Sequence, residues 1–180
     1  MKKKNKVFTL EITDTEKVCP MGEKAGSQCL AEGKIPVLSC EGGCIRGEIA
    51  RLAANLVAKE EPYRRGCHGE MFTAPHTAMA DWMKKSNKVV VIDGCYMHCH
   101  GRIAENMVGK DNLVIFDGLS LYKKYTDLID IDAVPEEERR ETARMVADMV
   151  LAELNKESGC NAGSRIKAGS GAASQSAGCR

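Results

Sequence analysis

The sequence predicts an α/β fold: three layers, with a mainly parallel sheet carrying helices on both of its faces. Three observations lead there. Short, continuously apolar runs recur at 35–39 (IPVLS), 88–93 (KVVVID) and 112–117 (NLVIFD), and strands apolar on both sides belong to sheets covered on both faces. Between and after them lie segments with helical periodicity, and alternation of the two kinds indicates βαβ units. The length of 180 residues fits one domain with a sizeable core. Right-handed crossovers then bring every strand's carboxyl end to one edge of the sheet.

The elements follow in order. Lys6 to Ile12 alternates loosely and is expected to form an edge strand. Cys19-Pro20 to Gly33 is rich in glycine and polar residues and reads as a loop holding Cys19 and Cys29. Ile35 to Ser39 is a buried strand bounded by Gly33 and Cys40. The helix that follows, roughly Ile45 to Lys59, places Ile49, Leu52, Ala53, Leu56 and Val57 on one face, and Pro62 ends it. Tyr63 to Pro75 reads as irregular and contains Cys67-His68, whereas Thr77 to Ser86 suits a short helix carrying Trp82.

Lys88 to Asp93 is the clearest strand, Arg102 to Val108 a short helix closed by Gly109, and Asn112 to Asp117 the next strand. Pro135 opens the last helix, where Glu136, Glu137 and Glu138 suit the positive helix start and Val146, Val150 and Leu154 form the buried stripe. One α/β domain is therefore expected over 1–157. From Ser158 to Arg180 the composition turns to Gly, Ser and Ala with no acid, too little apolar surface to order itself, so 158–180 reads as a flexible tail carrying Cys160 and Cys179.

Charge and composition remove several function classes. A formal net charge of +1, from 26 basic and 25 acidic residues, leaves no electrostatic footprint for nucleic acid or an anionic membrane. Aromatic content of 4% with a single tryptophan offers no stacking platform for single strands. The basic start MKKKNK is followed by VFTLEI, whose Glu11 prevents it from acting as a signal-peptide core. No run approaches the roughly 18 apolar residues of a membrane span. A cytoplasmic location is expected, where nine cysteines serve metal binding or thiol chemistry before static disulfides.

The cysteines are placed for that. In VVVIDGCYMHCHGRIA (89–104) a strand runs into Cys95 and Cys99 where a helix should begin, and VLSCEGGCIRGEIA (37–50) repeats the pattern with Cys40 and Cys44. Ligands of open parallel sheets collect beyond the strands' carboxyl ends, and the helix starts that follow favour thiolates. Tetrahedral zinc takes four such ligands, often as two close pairs. Cys95 and Cys99 give one pair; Cys40 with Cys67, or Cys40 with Cys44, gives the other, with His68, His98 and His100 as substitutes. Gly42, Gly43 and Gly94 are expected where the backbone turns tightly around the bound group, and Asp93 is expected to hold the loop through backbone N–H groups.

The IDGC of Ile92 to Cys95, Cys99 four residues later, the VLSC strand end with its GEIA helix and the intervening Cys67 resemble the DGC-domain family of zinc-binding proteins, over about 35–117. The resemblance implies metal chelation by four cysteines, here Cys40, Cys67, Cys95 and Cys99, with Cys44 and His98 in reserve. It implies Zn(2+) in a structural or metal- and thiol-handling role and supplies no reaction. Two alternatives stand beside it. Four thiolates suit an iron–sulfur cluster, or Cys95 and Cys99 a dithiol redox pair. Cys40 to Arg46 also fits Cys-x5-Arg and resembles the phosphate loop of low-molecular-weight tyrosine phosphatases and arsenate reductases, with Cys40 as nucleophile and Arg46 binding the anion. Those enzymes have Ser or Thr where this chain has Gly47 and an Asp-Pro acid that it lacks. The metal ion is the expected partner, with a protein partner possible through the tail's Cys160 and Cys179; neither nucleic acid nor membrane is expected.

Overall fold

A computed structural model describes residues 9–162. Strands β1 (Ile35–Ser39), β2 (Tyr63–Arg65), β3 (Val89–Asp93) and β4 (Leu113–Asp117) form one sheet in the order β2-β1-β3-β4. Every pairing is parallel, with Val37 opposite Val90, Leu38 opposite Val91, and Val91 opposite Ile115. After β1 the chain goes first to the β2 side and then crosses to β3 on the other. The gap between β1 and β3 is thus the switch point of the winding, where the connections diverge and leave a crevice at the carboxyl ends.

Seven α-helices, α1 (Pro20–Ala31), α2 (Ile45–Val57), α3 (His68–Thr73), α4 (Ala78–Lys85), α5 (Cys99–Val108), α6 (Gly118–Tyr122) and α7 (Glu136–Ala162), and a 3-10 turn at Lys110–Asn112 surround the sheet. Strand side chains alternate between two cores, as the pleat requires. Val37, Val90 and Ile92, with Val114 and Phe116, pack against α2, α6 and α7. Leu38, Val89 and Val91, with Leu113 and Ile115, pack against α1, α3, α4 and α5. The expected three-layer α/β architecture is therefore present.

Packing corrects several local expectations. The 19–33 segment is α1 and not a loop. Pro20 starts it, where a missing N–H costs nothing, and Gly33, at φ +64°, follows its end. Its glycines are contact points: a Cβ on Gly26 would lie 2.4 Å from the Met79 nitrogen and one on Gly22 would strike the Glu70 carboxylate, so their absence lets α1 settle against α4 and α3. Residues 9–12, expected within an edge strand, have no regular structure, and 6–8 lie outside the described residues. Within the expected irregular stretch 63–75, β2 and α3 form.

On α2 the fully buried stripe is Ile49, Ala50, Ala53, Ala54 and Val57, while Leu52 and Leu56 are half-buried. The alanines face Ala143 and Ala147 of α7 in the same core, where small side chains let the two helices approach. Val146, Val150 and Leu154 of α7 are buried as expected. Trp82, wholly buried, donates its indole N–H to the Lys34 carbonyl at 2.8 Å, fixing α4 to the start of β1; burial of such a side chain stabilises by about 2–3 kcal/mol. Helix α7 continues past Ser158 to Ala162, and the rest of the expected tail, with Cys179, lies outside the described residues.

Candidate metal centre

Parallel strands ending on one edge gather the cysteines there. Cys40 follows β1 directly, Cys67 caps the start of α3 just after β2, Cys95 lies two residues beyond β3, and Cys99 is the first residue of α5. Cys44 caps α2. Neighbouring strands are about 4.8 Å apart, so Cys40, on the central strand β1, is flanked by the strand ends that carry the others. Cys19, Cys29, Cys40, Cys44, Cys67, Cys95 and Cys99 are free thiols.

Within this rim the sulfur of Cys40, a carboxylate oxygen of Asp93 and a ring nitrogen of His100 all lie within 4.8 Å of one another, the one such set of three or more donors among the described residues. They sit at the β1–β3 switch point. Cys67, Cys95 and Cys99 stand outside the tight trio. Burial pushes the Cys40 thiol up, opposed by N–H groups of Gly42 and Gly94 and reinforced by the Asp93 charge. The Gly42 N–H donates to its sulfur at 3.3 Å. A cation here would reverse that balance, because it favours thiolate.

Asp93, the last residue of β3, binds backbone N–H groups as expected. Its oxygens accept from the N–H of His100 at 3.2 Å and of Gly101 at 2.9 Å, capping α5 from the end of β3. That contact requires Gly101, since a Cβ there would stand 2.8 Å from the carboxylate. On the β2 side, Arg65 donates to the Val37 carbonyl at 2.9 Å and the Ser39 hydroxyl at 3.0 Å and pairs with Glu41, tying β2 to the loop that holds Cys40.

Two histidines close the other side. The ring of His68, next to Cys67, meets that of His100 edge to face with centroids 4.7 Å apart, and Phe72 packs against both. Burial, with His100 beside it, holds the His68 pKa below the usual value, leaving a neutral imidazole, the form that binds metal. The Nδ1 atoms of His68 and His100 are buried without hydrogen-bond partners. Orphaned nitrogen lone pairs or N–H groups beside thiols and a carboxylate are a donor set that fits a borderline ion such as zinc. In the sequence these histidines stand out only as substitutes; their meeting is tertiary. His98 caps α5 in the left-handed region at φ 47° and lies outside the trio.

The glycine of Asp-Gly-Cys has a packing reason. A Cβ on Gly94 would lie 2.7 Å from the Arg46 carbonyl oxygen, and one on Gly47 would lie 2.3 Å from the Gly42 oxygen, so the β3–α5 loop, the 40–44 loop and the first turn of α2 touch backbone to backbone. A Cβ on Gly43, expected at a tight approach, would meet nothing within 4 Å, and one on Gly42 would meet only the Cys40 sulfur. Arg46 is charge-coupled to Cys44, Cys95 and Tyr122, whereas the Cys40 sulfur faces Asp93 and His100; the guanidinium serves a different thiol from the one the Cys-x5-Arg pattern suggests.

Fold and rim together define a class: a parallel α/β domain with a cysteine-rich candidate metal site at its switch point. The family model of the DGC domain matches residues 36–146, more than half of the chain, and the protein belongs to the DGC-domain family. The match and the Cys40, Asp93 and His100 cluster agree on a metal-binding domain with a metal ion as its partner. No curated protein and no solved structure matches the chain. Among the described residues no helix is long and apolar enough to cross a membrane.

Proposed function

We propose that this protein holds one zinc ion at the β1–β3 switch point, with Cys40 as the anchoring thiolate and Cys67, Cys95 and Cys99 completing the shell. The observation that supports an ion at this edge is the meeting of Cys40, Asp93 and His100 within 4.8 Å, which includes Cys40 alone of the four proposed thiolates. The ring contact of His68 with His100, the neighbours of Cys67 and Cys99, supports including those two cysteines. His100 is the nitrogen ligand if one thiolate stays out.

The ion would supply a crosslink between segments far apart in sequence, and a charge that holds the thiolates deprotonated. An all-thiolate shell is closed, which suits a structural or metal- and thiol-handling role in a reducing cytoplasm. Elemental analysis and a visible spectrum of protein purified without oxygen test this directly. The expected result is a colourless protein with about one zinc per chain, lost in Cys40→Ser. A brown protein absorbing near roughly 400 nm transfers the site to an iron–sulfur cluster, and wild-type protein that takes up no metal ends the reading.

A further inference from the structure

Strand β2 stops at Arg65, opposite Val37, while β1 runs two residues further to Ser39. On its other side β1 keeps a partner to the end: Ser39 pairs with Ile92, and the Cys40 N–H donates to the Ile92 carbonyl at 2.9 Å. Toward β2 the backbone ladder closes with the Gly66 N–H on the Val37 carbonyl at 3.1 Å, and beyond it a single side chain takes over. The Arg65 guanidinium donates from Nη1 to the Val37 carbonyl at 2.9 Å, and from Nη2 to the Ser39 hydroxyl at 3.0 Å and a Glu41 carboxylate oxygen at 3.3 Å. The hydroxyl of Ser39, a residue with no exposed surface, donates in turn to that same Glu41 oxygen at 2.7 Å.

These contacts enclose Cys40. The residues on either side of it, Ser39 and Glu41, are bonded to each other and to one guanidinium, whose own backbone stands two residues before Cys67. Three residue pairs already join β2 to β1, so the bonds to Ser39 and Glu41 constrain the loop beyond the strand and not the pairing itself. A planar fork can serve three acceptors at once, which an ammonium on a flexible stem does not.

We propose that Arg65 is a positioning residue: through Ser39 and Glu41 it presets the Cys40 loop, so that the thiol stands in place before an ion arrives. The use of that preset rests on the zinc reading above; the preset itself does not. A ligand held in advance binds without the cost of ordering it, so a loosened loop lowers affinity while the filled site keeps the same ligands.

The test compares Arg65→Lys and Glu41→Ala with Glu41→Gln, whose side-chain oxygen still accepts from both donors, all in the full chain. In metal-free protein, residue-resolved amide hydrogen exchange at Cys40 and Gly42 is expected to quicken about tenfold in Arg65→Lys and Glu41→Ala, while Val90 and Val91 of β3 keep the parental rate. Zinc affinity, measured by chelator competition, falls about 10- to 100-fold in these two variants and stays within about threefold of the parent in Glu41→Gln. Saturated with Co(II), Arg65→Lys shows the parental thiolate charge-transfer band, since the filled site is the same. Unchanged exchange at Cys40 and Gly42, quickening that extends equally to β3, parental zinc affinity in Arg65→Lys, a weakened band at saturation, or Glu41→Gln as impaired as Glu41→Ala overturns the proposal. A wild-type chain that takes up no metal ends the zinc reading alone, and the exchange rates then decide whether Arg65 presets the loop.

Discussion

His68 and His100 stand edge to face with ring centroids 4.7 Å apart, and the Nδ1 of each is buried without a hydrogen-bond partner. They come from the starts of different helices, α3 and α5, separated in sequence by α4 and β3. Each follows a cysteine directly, so their contact reports how close the Cys67 and Cys99 segments lie.

Replacing either ring should therefore weaken metal binding. His100→Ala, which removes a member of the Cys40, Asp93 and His100 trio, is expected to lower zinc affinity about 10- to 100-fold, and His68→Ala by a smaller factor within that range. Competition against a chromophoric chelator measures both. Equal affinity in the wild type and both variants would show that the imidazoles play no part.

Asp93 is expected to matter even without an ion. Its carboxylate, 1% exposed, caps the His100 and Gly101 amides. Asp93→Ala leaves those N–H groups unpaired and should cost about 1–3 kcal/mol of stability, measured by urea unfolding of metal-free protein.

The contact of α1 with α4 is tested by Gly26→Ala. The new Cβ would stand 2.4 Å from the Met79 backbone nitrogen, which cannot yield as a flexible side chain would. Destabilisation of about 1–3 kcal/mol is expected, and Tm should fall by roughly 2–4 °C per kcal/mol in a chain of this size. Gly43→Ala, where nothing lies within 4 Å, serves as the control and should stay within about 0.5 kcal/mol of the parent.

The thiols of Cys44 and Cys40 shift in opposite directions. Alkylation consumes thiolate, and Cys44 is held below the ordinary thiol value while burial raises Cys40. In metal-free protein, the pH at which iodoacetamide labelling reaches half its limiting rate should be lower for Cys44 than for Cys40. Site-resolved labelling as pH rises gives the order, and earlier reaction of Cys40 would contradict the opposed environments.

Much of this molecule could be read from the chain alone. Apolar runs too short for buried helices and apolar on both faces can bury themselves only in a covered parallel sheet, and a parallel sheet sends its carboxyl ends, with Cys40 and Cys95, to one edge. Asp93 was legible as a holder of backbone N–H groups in the loop after β3; that the N–H groups belong to the first turn of α5, at His100 and Gly101, came from the folded loop.

Other features depended on partners distant in sequence. Gly22 and Gly26 look like loop residues until α4 and α3 are placed against them, although Pro20 and Gly33 bracket the segment as a helix would be bracketed. The three-residue strand β2 carries too short a pattern to declare itself and is fixed by pairing with β1. No spacing rule links His68 to His100, or Arg65 to Ser39 and Glu41. Local periodicity determines which segments become strands and helices, because that choice is made over a few neighbouring residues. Which side chains meet at the rim is decided by crossovers and helix packing, since only these bring together atoms from chain positions that exert no influence on one another before folding.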